Sequence, residues 1–374
     1  MSIAIPQLED YATSRAAFLA SAEARGAVIG HHVHPLTGPG GEEIATDVAR
    51  LGPGPGEADS VVVVASGTHG VEGHAGSGLQ RLILDDPRIA SLPTGTALVL
   101  VHAVNPFGMA WSRRVDHDNV DVNRNFVDFA SPPPTSPHYP SIDATLNPSG
   151  GELDLDDGTW LEELLAFAGE VGMAEAFQAV SGGQYDHPHG MQFGGSEPTW
   201  SRRTLESLWA HHLIDAGLVV HLDVHTGLGP TGQLTLFQTA DPGEPAAELG
   251  ARWYPDILRA DRNAGEAELQ HGVLGPGLDA VVGEATTCLP VVVEFGTLDE
   301  LTVLGAMRAD NWLHQHGDPR SEVGEAIRSR TRDAFFVDDT AWRGSIAQDG
   351  LAAAHAAFDA VEADGADLAG RSTT

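Results

Sequence analysis

His69 and Glu72 stand three residues apart in Thr68-His69-Gly70-Val71-Glu72-Gly73, directly after the apolar run Val61–Ala65. A strand ending in a turn presents two such side chains together. Imidazole nitrogen and carboxylate oxygen are ligand types that hold zinc and leave it Lewis-acidic and open to water. Alone the spacing says little in a chain with 18 histidines. Three later segments give it weight.

Arg113-Arg114 and Asp121-Val122-Asn123-Arg124-Asn125-Phe126 place three arginines close together in a strongly acidic chain. Guanidinium forks bind carboxylates through paired hydrogen bonds, and a neighbouring Asn adds a directional donor to the same anion. The competing reading is that these arginines neutralise Asp116, Asp118 and Asp121 in ion pairs. In Val219-Val220-His221-Leu222-Asp223-Val224-His225-Thr226, strand alternation puts His221, Asp223 and His225 on one side, with His225 at the strand's end. Ligands of open α/β sheets sit beyond the carboxyl ends of strands, which suits His225 for metal, leaves His221 buried mid-strand, and makes Asp223 a partner that orients another group. Finally, Glu294 closes the run Val291-Val292-Val293. A carboxylate there is costly unless the strand delivers it to a polar site or an arginine pairs with it.

Positioning these residues takes a sheet. Strand-like pieces are expected at Ala27–His34, Glu43–Leu51, Val61–Ala65, Thr96–Val104, Leu218–Val224 and Pro290–Val293, punctuated by glycine- and proline-rich turns. Helices are expected over Tyr11–Arg25, stopped by Gly26, and again after Gly73. This alternation predicts an α/β fold with a mixed, largely parallel twisted sheet and helices on both faces. Residues from about 130 to 215 break the rhythm and read as a long insertion on a single catalytic domain spanning 1–374, partly helical around Trp160–Ala179. From about Thr302 the pattern turns helical again.

All 20 basic residues are arginine, against 53 acidic ones, for a formal net charge of -33. The absence of lysine excludes a Walker-type phosphate loop and any lysine nucleophile. Such a charge argues against nucleic acid or an anionic membrane surface as a partner. The single Cys288 cannot form an intramolecular disulfide, and the first residues lack the basic and apolar regions of a signal peptide. A cytoplasmic protein is expected. His31, His32 and His34 read as structural, because they lack nearby carboxylate or cysteine co-ligands in sequence; His187 and His189 read as loop residues. No G-x-S-x-G nucleophile elbow occurs.

In this order, the segments resemble the zinc carboxypeptidase superfamily, which includes the carboxypeptidases proper and the succinylglutamate desuccinylase/aspartoacylase branch. The matching features are His-x-x-Glu after a strand, Asn105-Pro106-Phe107-Gly108 after the next, Asp-x-Asn-Arg-Asn-Phe, and a strand-terminal His and Glu. The likeness runs from roughly Gly30 to Trp342. It implies one zinc per chain held by His69, Glu72 and His225, with Glu294 as the general base. It further implies Arg114, or else Arg113, as the oxyanion partner, and Asn123 and Arg124 as the substrate's carboxylate partners. The implied substrate is a small peptide or an N-acyl amino acid with a free carboxylate. The carboxypeptidases proper carry a mobile tyrosine between the last zinc histidine and the glutamate; only Tyr254 lies there, in a helix-like context, so Tyr185 becomes the substitute. The alternative function is a non-catalytic or regulatory metal-binding protein on the same scaffold, although zinc binding alone needs neither Glu294 nor the arginines.

Overall fold

Four consecutive valines, Val61 to Val64, build the centre of the molecule, because β-branched residues buried on both sides form a strand that needs cover on each face. The computed structural model describes residues 3–371 except 152, 156, 241–242 and 260–269. Its strands are β1 (Val28–Thr37), β2 (Glu43–Leu51), β3 (Ser60–Ser66), β4 (Thr96–His102), β5 (Leu218–Gly227), β6 (Leu234–Gln238), β7 (Leu258–Arg259) and β8 (Thr287–Gly296). They form one eight-stranded sheet in the order β1-β2-β4-β3-β5-β8-β6-β7. The inner four, β4-β3-β5-β8, are parallel, whereas β1, β2 and β6 run antiparallel to their inner neighbours. This is the mixed, largely parallel sheet that the sequence predicts.

The helices are α1 (Tyr11–Ala24), α2 (Gly73–Asp85), α3 (Pro106–Trp111), α4 (Tyr139–Leu146), α5 (Thr159–Val171), α6 (Met173–Ser181), α7 (Trp200–His212), α8 (Pro245–Trp253), α9 (Leu274–Val282), α10 (Glu300–His316), α11 (Glu322–Phe335) and α12 (Thr340–Arg371). Strand alternation divides the core. Val62 and Val64 face a cluster with Phe18 of α1, Leu79 and Ile83 of α2, and Phe358 of α12. Val61 and Val63 face Leu205, Leu208 and Trp209 of α7 and Leu278 of α9. Helices α4, α5 and α6 pack on one another around Tyr139, Ile142 and Phe167, with Leu304 and Met307 of α10 against them. Among the described residues, no helix is long and apolar enough to cross a membrane.

Two strands lie outside the sequence expectation. Thr235 and Gln238 interrupt the apolar pattern of β6, and β7 is only two residues long, so neither announces itself by hydrophobicity. The order of the inner strands matters for function. From β3 the chain crosses to β4 on one side, while β5 pairs with β3 on the other. The carboxyl ends of β3 and β5 therefore flank a point where the topology reverses, the usual place for a ligand crevice.

Candidate metal centre

The chain leaves β3 at Ser66 and enters a tight 3₁₀ turn at Gly70–Glu72 before α2. Gly70 is required there: a Cβ would lie 2.2–2.4 Å from the backbone of Gly108 and Met109. That approach lets the Gly70 and Val71 N–H groups donate to the carbonyls of Arg114 and Arg113, at 3.0 and 2.8 Å. The turn that carries His69 and Glu72 is thus pinned to the arginine segment.

His225 arrives from the end of β5, and three buried side chains converge. His69 Nδ1 lies 2.9 Å from Glu72 Oε1, His225 Nδ1 lies 2.9 Å from Glu72 Oε2, and the two Nδ1 atoms are 3.2 Å apart. One ligand atom from each of His69, Glu72 and His225 falls within 4.8 Å of the others, a group that could hold a metal ion. The far edge of each ring is tied to a carboxylate: His69 Nε2 to Asp121 Oδ1 at 3.1 Å and His225 Nε2 to Asp223 Oδ2 at 2.8 Å. Such outer carboxylates set the tautomer that turns Nδ1 towards a cation and raise its basicity. Asp223 also accepts from Thr68 Oγ1 at 2.7 Å, joining the two halves of the centre.

Electrostatics agree with a cation at this point. Burial alone would lower the His225 pKa, yet Asp223 and Glu72 hold it well above the ordinary histidine value. Burial likewise would raise Glu72 and Asp121, but His69 and His225 pull Glu72 below the usual carboxylate range, and Arg114 and His69 do the same for Asp121. The carboxylates around the rings thus favour positive charge at this point, and an N,N,O donor set is of the kind that holds zinc.

Glu294 is the Cα partner of His225 across the β5–β8 ladder, which sets it beside the three ligands at the strand ends. Its Oε1 accepts from Leu228 N–H at 2.9 Å. Burial and the neighbouring Glu72 charge push its pKa up to about 7, against the opposing pull of His225. Arg114 lies on the other flank, with Nε 3.9 Å from Glu72 Oε1, Nη1 on Asp121, and Nη1 also 3.3 Å from Gln192 Oε1.

The remaining expected site residues are spent differently. The Arg113 guanidinium donates to Asp310 (3.2 Å), the Asp116 carbonyl (3.0 Å), Asn119 (3.3 Å) and His314 Nδ1 (2.6 Å), none of them in the His69–Glu72–His225 cluster. Asn123 Oδ1 accepts from Leu274 N–H at 2.9 Å. Arg124 donates to the Ser181 and Asn123 carbonyls, each at 2.8 Å, and its own carbonyl accepts from the Tyr185 hydroxyl at 2.6 Å. Tyr254 is buried, with its hydroxyl on the Ala353 carbonyl at 3.1 Å. Asp121 is the residue that sequence reasoning missed; it read as a surface counter-ion, although its place two residues before Asn123-Arg124 was a signal.

A family model covers most of the chain, matching residues 8–349. The chain belongs to the family described as Protein of unknown function (DUF2817). Among curated proteins, none matches it. Among solved structures it is similar to carboxypeptidase A from Helicoverpa armigera, at 10% identity over 87% of this chain and 74% of that one, with a TM-score of 0.48. It is also similar to a metallo-carboxypeptidase from Pseudomonas aeruginosa in complex with (2-guanidinoethylmercapto)succinic acid, at 16% identity, 90% and 68% coverage, and a TM-score of 0.37. An aspartoacylase family protein from Mesorhizobium loti matches at 13% identity, 77% and 66% coverage, and a TM-score of 0.33.

Proposed function

We propose that this chain is a zinc-dependent hydrolase that cleaves an amide bond next to a free carboxylate, either releasing a C-terminal residue or deacylating an N-acyl amino acid. One observation carries the reading: the Nδ1 edges of His69 and His225 meet on Glu72, each ring backed by its own aspartate, with Glu294 on the adjoining strand end. His69, Glu72 and His225 hold the ion, one per chain. A zinc ion there supplies Lewis acidity to water and to the scissile carbonyl.

The chain's own groups do the rest. Glu294 takes the proton of the attacking water and passes it to the amine nitrogen as the C–N bond breaks, a role that suits a carboxylate whose pKa has been pushed towards neutrality. Arg114 donates to the oxyanion as it forms; such donors typically contribute about 2.7–4 kcal/mol each. Asn123 and Arg124 receive the substrate's carboxylate, Arg124 exchanging carbonyl partners for it, and Tyr185 steadies Arg124 through its backbone. The insertion at about residues 130–215 belongs to the single catalytic domain.

The test is a panel of N-acyl amino acids and short peptides given to zinc-loaded protein. Hydrolysis that requires the free carboxylate supports the reading. Stoichiometric zinc with no turnover across the panel would instead support a metal-binding protein without this chemistry.

A further inference from the structure

Arg114 has a mechanical problem. Two carboxylates draw on its guanidinium, Asp121 at Nη1 and Glu72 3.9 Å from Nε. It also borders a cavity of about 20 Å³, lined as well by Gln192, Met307, Asp310 and Asn311. That is room for about one water molecule, and a flexible side chain could relax into it. Beside that cavity Gln192, 78 positions away in sequence, accepts from Nη1 at 3.3 Å and adds a second tether to the one from Asp121.

Gln192 is built in at some cost. Its backbone adopts φ +60°, a left-handed conformation that a residue with a side chain rarely takes. The conformation is held from both sides. The Gln192 carbonyl accepts from Gln184 N–H at 3.0 Å, and the next carbonyl, of Phe193, accepts from Asp121 N–H at 2.8 Å. The side chain is buried and directs Oε1 to Arg114 Nη1. A guanidinium only donates, so the amide atom facing it must be the oxygen. A neutral acceptor adds a restraint on Nη1 without adding a third negative charge to the two carboxylates already beside Arg114.

We propose that Gln192 is a positioning residue that holds the Arg114 guanidinium in the orientation required to meet the developing oxyanion. The inference rests on the zinc-hydrolase reading above. It assigns the strained Met191-Gln192-Phe193 segment a part in turnover rather than in metal binding.

The experiment compares zinc-loaded wild type with Gln192→Gly and Gln192→Met on the same N-acyl amino acid and peptide panel, with zinc content and Tm measured in parallel. Gln192→Gly removes the side chain and relieves the left-handed backbone; Gln192→Met keeps the side-chain volume and loses the acceptor. In both, kcat should fall tenfold or more while KM stays within about threefold and zinc remains one per chain. The Tm of Gln192→Gly should equal or exceed that of wild type, a direction that a purely structural role would not give. In Arg114→Met, adding Gln192→Met should lower kcat by less than a further twofold, because the two side chains act as one unit. Wild-type kcat in either variant, a loss confined to KM or to zinc content, or full additivity with Arg114→Met overturns the proposal while leaving the hydrolase reading intact. A zinc-loaded wild type inert on the whole panel overturns both.

Discussion

Asp223 Oδ2 lies 2.8 Å from His225 Nε2, on the ring edge opposite the one that faces Glu72. The carboxylate therefore decides which nitrogen of His225 is free to meet a cation. Asp223→Asn removes the charge, and an amide N–H donating to Nε2 would move the ring proton to Nδ1, the edge that faces the cation. Zinc affinity should fall about 10–100-fold, read by competition with a chromophoric chelator. Unchanged affinity would remove Asp223 from the centre.

Glu294→Gln keeps the shape of the strand end and removes the proton acceptor. The expected result is one zinc per chain and a kcat lower by about 10²–10⁴-fold, the usual share of general acid–base catalysis. Wild-type turnover would show that another group handles the proton.

Arg113 gives a contrasting case. It pairs with Asp310 in a buried setting and also binds Asn119 and His314. Arg113→Met leaves the Asp310 carboxylate buried without its cation, which typically costs about 3–5 kcal/mol. Denaturant unfolding should register that loss even in zinc-free protein. A stable variant with low kcat would instead restore Arg113 to the oxyanion role.

Zinc removal should lower thermal stability, since an ion that binds only the folded chain stabilises it by about 4 kcal/mol at a thousandfold excess over Kd. A Tm that does not move when a chelator is added to protein carrying one zinc would place that zinc outside the centre.

His221 supplies a pH test at a group outside the His69–Glu72–His225 cluster. It is buried in mid-strand against Trp209, with no hydrogen-bond partner for either ring nitrogen among the described residues, and burial pushes its pKa down from 6.5 to about 4. The unfolded chain therefore takes up a proton that the folded chain refuses. The neutral ring's contribution is fully present above pH 6.5 and declines as pH falls towards 4, by roughly 1.4 kcal/mol per pH unit. His221→Leu should be neutral or stabilising at pH 8, and its advantage over wild type should widen from pH 6.5 to pH 4. A constant difference across that range would mean that His221 does not titrate on unfolding.

Much of this was legible along the chain because the signals are local. Runs of β-branched residues marked β3, β4, β5 and β8, and alternation within Leu218–Val224 placed His225 at a strand end. A His-x-x-Glu turn and a glutamate closing an apolar strand are chemical anomalies that sequence alone exposes. Tertiary structure decided what spacing cannot encode, namely which distant group satisfies each charge. Arg113 and Arg114 are adjacent and chemically identical, yet one pairs with Asp310 on α10 while the other pairs with Asp121 beside Glu72. Asp121 binds His69 across 52 positions, and Gln192 reaches Arg114 across 78. Such pairings follow from the order of strands in the sheet and the packing of α10 and the Gln192 segment around it. Periodicity reports the face on which a side chain lies, whereas its partner is fixed only when the chain closes.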